Sequence, residues 1–317
     1  ASYARYLEAN PDMAAYVQPL IARCALQEGD AAAAFAAYAA ALDAPADRLT
    51  EIENREILAE VYLSESRFAD AVAQYDAIHD LAVTENTRGQ MTYRAGSALL
   101  LAGDTAAAYE RFLAGVNNYP RAYESYLGLV ALIDAGYDVS QYQRGLVDYY
   151  AGAYMPAIAA FESHLAANPA GDQANLYLAW SYEGLGNTDA ALAQLEQYAT
   201  AEGNAARALA EKAALTSRAG RDDEALSAYL ELRESYPESE HAAEATWQAA
   251  LLQDASGAGA EALELYWALV EEHPEYEQAP RALFRAGLRE WQNCDSAEAT
   301  GIWQRLAAAY PDADYGA

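Results

Sequence analysis

The sequence predicts an all-α protein, a solenoid of stacked helical hairpins. Three observations carry that expectation: a spacing of Ala, aromatic and Pro that recurs along the chain, Gly where paired helices must turn, and no stretch of strand-like alternation. The spacing is Ala-x3-aromatic-x7-Pro. It stands at Ala108, Phe112 and Pro120; at Ala157, Phe161 and Pro169; at Ala225, Tyr229 and Pro237; at Ala262, Tyr266 and Pro274; and at Ala299, Trp303 and Pro311. Copies without the Pro in register stand at Ala34 and Tyr38, Ala71 and Tyr75, and Ala191 and Leu195.

Each part of the spacing has a physical task. Ala lets two antiparallel helices approach closely, and the large residue fills the gap to the neighbouring unit. Pro ends the second helix by disfavouring helical geometry at the residue before it. Upstream, a large residue, a small one, an aromatic and a Gly complete the first helix and its turn. Leu178, Ala179, Tyr182 and Gly186 show this best, and Leu58, Ala59 and Tyr62 repeat it before Ala71. Gly29, Gly103, Gly220 and Gly257 mark the turn in other copies, where a residue without Cβ takes the left-handed conformation.

Pro169 and Pro237 lie 68 residues apart, two units of 34, and the next two intervals are 37 each. With that period the pattern resembles the tetratricopeptide repeat. One hairpin cannot bury its apolar face alone, so units must stack, and the expected sum is a right-handed superhelix with a concave and a convex wall. The register slips once, because Pro120 and Pro169 are 49 residues apart. The surplus, RAYESYLGLVALIDAG at 121–136, has its own helical period. The expected organisation is therefore N-terminal repeats over 1–120 with the first one partial, an extra helix breaking register over 121–140, and C-terminal repeats over 141–317 with the last one truncated. A bend or a re-pairing of helices is expected near 121–140. Residues 1–11 resemble the second helix of a repeat, and PDADYGA at 311–317 the start of another, so the chain is expected to be a piece of a longer protein.

The charge is one-sided, with 19 Lys and Arg against 48 Asp and Glu for a net −29, and Lys212 is the single Lys. Such a surface repels phosphate backbones and anionic headgroups, which excludes nucleic acid as the expected partner. The acidity is equally the mark of a salt-adapted or high-GC source. The strongest apolar run, Tyr126 to Ile133, falls far short of the roughly 20 residues a membrane span needs. The chain starts at Ala1 with no apolar leader, so any signal peptide is expected to be removed or to lie outside it. Cys24 and Cys294 fit neither a disulfide framework nor a zinc site, and are expected to be small packing residues, although a bridge is open if the chain curls into a ring.

Little in the sequence points to chemistry. His79, His164, His241 and His273 are scattered, and the His241 and Glu244 pair at helical spacing makes at most half a metal site. Gly257 and Gly259 hint at a phosphate loop, but no strand precedes them and a repeat turn explains both. No cofactor, metal or catalytic set is expected, and this stretch is read as no enzyme. Binding is the remaining use. In tetratricopeptide proteins certain positions of each first helix line the concave groove, and here these positions fall on Tyr93, Tyr142, Tyr149, Trp180, Arg207, Trp247, Phe284 and Trp291. Displayed, they suit a peptide or sugar; otherwise the same rings pack between helices.

The stretches RGLVDYYAGAYMPAIAAFESHLAANP (144–169) and LFRAGLREWQNCDSAEATGIWQRLAAAYPDADYGA (283–317) resemble the helical N-terminal region of bacterial soluble lytic transglycosylases. That resemblance implies a non-catalytic arm of a peptidoglycan-cleaving enzyme, placed outside the cytoplasm, whose catalytic domain would lie beyond residue 317. The family's catalytic Glu-Ser pair and its Gly-Leu-Met-Gln segment do not occur here, so no catalytic residue carries over. The alternative is a free-standing cell-envelope adaptor that binds a peptide or protein in its groove; a cytoplasmic scaffold is the third reading.

Overall fold

The computed structural model describes residues 2–168, 173–311 and 313. Among them the chain is all-helical, with eighteen α-helices, one short 3-10 turn at Pro11–Met13 and no strand. Contacts divide it into two compact units, Ala1–Ala160 and Phe161–Ala317.

The first unit holds α1 (Ser2–Ala9), α2 (Ala14–Gln27), α3 (Ala31–Leu42), α4 (Arg48–Ser64), α5 (Phe68–Leu81), α6 (Glu85–Leu101), α7 (Thr105–Asn118), α8 (Tyr123–Asp134), α9 (Gln141–Tyr150) and the start of α10 (Tyr154–Ala167). Helices α2 and α3, α4 and α5, and α6 and α7 pair as hairpins, and α5 packs along α6 to stack them. Within 121–140, α8 packs against both α7 and α6, and α9 touches α8 and α7. The second unit holds α11 (Gln173–Gly184), α12 (Thr188–Ala199), α13 (Ala205–Arg218), α14 (Asp222–Ser235), α15 (Ala242–Ser256), α16 (Gly259–Glu272), α17 (Ala279–Gln292) and α18 (Ser296–Ala309). These form four hairpins in succession, each second helix packing on the first helix of the next. Each unit is thus an α-solenoid.

The repeated residues do the work expected of them. Every motif Ala named above is fully buried. A Cβ on Gly96 would stand 2.6 Å from the Phe112 ring, so the small residue of a first helix seats the large residue sixteen positions later on its partner. Gly287 and Trp303 repeat this, since a Cβ on Gly287 would overlap the indole. Phe112 also lies on Gly128 of α8, so the ring fills both the hairpin and the seam to the next element. The residues before four prolines, Tyr119, Tyr236, His273 and Tyr310, have φ of −133°, −135°, −134° and −133°, extended values that stop the helix. Pro169 lies outside the described residues, as does most of PDADYGA.

The turns explain Cys294, whereas Cys24 lies within α2. Gly29, Gly103 and Gly186 take positive φ and are followed by Asp30, Asp104 and Asn187, whose side chains accept from the backbone N–H three residues on. Cys294 holds the same place before Asp295, with φ of 66°. Both Cys24 and Cys294 are free and exposed, which corrects the expectation that they pack. Cys294 is outside because the turn it occupies is outside.

Arginine clamps the seams. Arg94 of α6 reaches Glu60 of α4, Arg111 of α7 grips Asp76 of α5 with both ends of its guanidinium at 2.7 and 2.9 Å, and Arg218 of α13 meets Glu183 of α11 at 2.6 Å. In α17, Arg285 and Arg289 both bind Asp254 of α15. Each Arg reaches back about one repeat. These five arginines are thus paired with acids across the seams, in part-exposed ion pairs.

Candidate binding surface

The expected groove residues fall into different environments. In the first unit, Tyr93 is half-buried and stacked on Phe112 at 5.3 Å, Tyr142 is half-buried, and Tyr149 is half-buried with its ring edge-on to Tyr150. In the second, Arg207 is half-buried, and half-buried Trp180 donates its indole N–H to Glu211 at 3.0 Å and meets Tyr177 edge-on. Trp247 is 7% exposed and sits in the core against Tyr266, so its ring is not displayed. Phe284 and Trp291 are the displayed ones, at 39% and 55% exposed.

Those two come together on α17. Phe284, Leu288 and Trp291 follow the i, i+4, i+7 spacing that puts side chains on one helix face. Leu288 is 38% exposed. Trp303 of α18 completes the surface: its ring lies 6.3 Å from Phe284 in a stacked arrangement and 6.2 Å from Trp291, and its N–H donates to the Phe284 carbonyl at 3.3 Å. Gly287 makes this possible, because only the absence of Cβ lets the indole lie on the helix. Sequence reasoning missed Leu288, though the helical period pointed to it, and assigned Trp303 to packing alone.

Glu290, Asp295 and Glu298 stand near Trp291 along the chain, and elsewhere in this unit a cleft of about 590 Å3 formed by Pro237, Glu238, Ser239, Glu240, Glu272 and His273 carries three Glu. Burial, then the neighbouring Asp254, pushes the Tyr266 phenol up to about 12, with Arg285 opposing. In the first unit, Asp148 is 3% exposed and burial pushes its carboxyl up to about 6, with Arg144 at 3.6 Å pulling the other way. One Asp148 oxygen and the Arg144 Nε have no hydrogen-bond partner.

Glu244 accepts hydrogen bonds from Tyr276 and Gln248, and Gly257 caps α15 in the left-handed conformation. Among the described residues no group of three or more His, Cys, Asp and Glu could hold a metal ion, and no helix is long and apolar enough to cross a membrane.

Hairpins stacked in series, with an aromatic face on one first helix, define a helical-repeat protein. Residues 173–205 and 203–239 match the family model of the tetratricopeptide repeat, so this stretch of the second unit carries tetratricopeptide repeats. No curated protein matches the chain. Among solved structures, the C-terminal part of a TPR repeat-containing protein from Cytophaga hutchinsonii is 14% identical, over 81% of this chain and 96% of its own, with a TM-score of 0.48. MamA is 20% identical over 52% of this chain and 93% of its own, with a TM-score of 0.41. YrrB, described as a TPR protein with an unusual peptide-binding site, is 16% identical over 58% of this chain and 92% of its own, with a TM-score of 0.40. At these identities and TM-scores the likenesses decide nothing about this chain. Neither the family model nor these three structures support the lytic transglycosylase resemblance read at 144–169 and 283–317.

Proposed function

We propose that the chain is a non-catalytic binding scaffold that takes a peptide or protein segment on the face formed by Phe284, Leu288, Trp291 and Trp303. The observation that carries this is the exposure of three large apolar side chains in one stripe beside a fourth ring, in a chain whose other repeat aromatics are mostly buried. Contiguous exposed apolar surface rimmed by polar residues marks interaction sites. Screening a displayed peptide library against the wild type and the Phe284→Ala/Trp291→Ala variant tests it. Peptides enriched on the wild type lose binding to the variant; equal enrichment on both refutes the assignment.

Peptidoglycan glycan strands are the second reading, favoured by the flat exposed rings of Phe284 and Trp291, on which sugars can stack. The arm of a lytic enzyme and a place outside the cytoplasm belong to that reading and rest on the sequence resemblance. The division at 1–120, 121–140 and 141–317 is part of the same proposal, supported by α8 packing on both helices of the hairpin before it.

A further inference from the structure

We infer that a cleft of the second unit, formed by α10, α11 and α12, binds a primary ammonium group on an aliphatic stem, as in a free alkyl diamine or the lysine side chain of a partner protein. Asn175 of α11 is 5% exposed, and its side-chain amide makes no hydrogen bond among the described residues. Other buried polar side chains do find partners. Asn54 donates to the Ala15 carbonyl at 2.9 Å, and Thr92, Ser181, Thr216 and Thr246 each donate to the carbonyl four residues back. A buried amide without a partner costs free energy. Asn175 lines a cleft of about 360 Å3, so a ligand there supplies what the fold does not. That volume falls within the about 300–1,000 Å3 of small-molecule sites.

The chemistry of the lining selects the ligand. Gln194 and Gln197, three apart on α12, add two amides whose side chains make no hydrogen bond among the described residues. Glu162 of α10 adds a charge. Its Oε1 accepts from the Tyr182 hydroxyl at 2.8 Å, which orients the carboxylate, and its other oxygen has no partner among the described residues. Leu165 and Leu178 supply apolar surface. No cation and no aromatic ring stand among the described residues lining the cleft. An anion therefore meets repulsion, and sugars and guanidinium groups find no ring to stack on. An ammonium group fits: it carries three donors, no acceptor and a positive charge, which a carboxylate and amide oxygens satisfy. Its methylene stem lies along the leucines. The net charge of −29 raises the local concentration of any such cation.

The probes are cadaverine, for a free diamine, and Nα-acetyl-lysine methylamide, for a protein's lysine, titrated calorimetrically into the full chain at physiological ionic strength. Saturable binding of at least one is expected, weakened at least tenfold by Glu162→Gln and by Asn175→Ala. Circular dichroism checks both folds, and Glu162 is exposed, so its variant keeps the test alive if Asn175→Ala does not fold. Glu231→Gln removes the same charge from an exposed position on α14 and should change binding less than twofold. Equal weakening by Glu162→Gln and Glu231→Gln would trace binding to overall charge and overturn the inference. So would Nε-acetylation of the lysine probe without loss of binding, or tighter binding of the matching arginine compound. Binding of cadaverine alone assigns the cleft to a free amine, and binding of the lysine compound alone to a partner's side chain; either supports it. Absence of saturable binding by both leaves Asn175 to water and overturns it.

Discussion

Replacing Asp148 by Asn should make the protein more stable at neutral pH, against the usual outcome of removing half of an ion pair. The carboxyl is 3% exposed, one of its oxygens has no hydrogen-bond partner, and Arg144 sits at 3.6 Å without closing a hydrogen bond through Nε. Burial wins over the arginine and raises the carboxyl from 3.8 to about 6. The sign follows from proton linkage: the folded chain holds this proton more tightly than the unfolded one, so the favourable contribution is complete below about pH 4 and is lost as pH rises to 6 and beyond. At 1.36 kcal/mol per pH unit, the loss approaches about 3 kcal/mol. Asn mimics the neutral acid and escapes it, so the advantage of Asp148→Asn should grow from near zero at pH 4 to at most about 3 kcal/mol at pH 8. Because a repeat array need not unfold in one step, hydrogen exchange resolved to α9 is the suitable assay, read at several pH values and supported by urea denaturation. A variant that is less stable at pH 8, or whose difference from wild type does not change with pH, would refute the reasoning.

The remaining expectations concern packing and turns. Trp247→Ala should cost about 3–5 kcal/mol in chemical denaturation, as for a buried indole, whereas Trp291→Ala should change stability by no more than about 0.5 kcal/mol; equal costs would erase the distinction between core and display. Gly96→Ala should destabilise by about 1–3 kcal/mol, since its Cβ would press on the Phe112 ring, and a neutral result would mean that the ring is free to move aside. Cys294→Gly should raise stability by about 1 kcal/mol by relieving the left-handed conformation, measured as an upward shift of the denaturation midpoint. Both thiols of the wild type should react with a thiol reagent without denaturant, and protection of either would contradict their exposure.

The architecture was legible because it is written in residues that act locally. Ala, an aromatic and Pro at fixed spacing say where helices cross and stop, and the Tyr119, Tyr236, His273 and Tyr310 backbones behave as a following Pro dictates. The binding surface was only half legible, for a physical reason. Trp247 and Phe284 hold the same place in successive repeats, and nothing in their own repeats tells them apart. What separates them is their surroundings: Trp247 sits in the core cluster against Tyr266 with Arg285 5.9 Å from its ring, whereas Phe284 is 39% exposed. Cys294 was misread because a small residue at a turn and a small residue in a core look alike until the turn is placed. The seam arginines were invisible for the opposite reason: their partners lie a full repeat away, and with 48 acids to choose from no pairing stands out.

The most direct test of the α17 face is fluorine NMR of the chain labelled with 5-fluorotryptophan, whose five tryptophans report on different places at once. On titration with a peptide enriched on the wild type in the library screen, the Trp291 and Trp303 resonances should shift together and saturate, while that of buried Trp247 stays where it was. Movement of Trp247 or Trp180 with Trp291 unmoved would contradict the account.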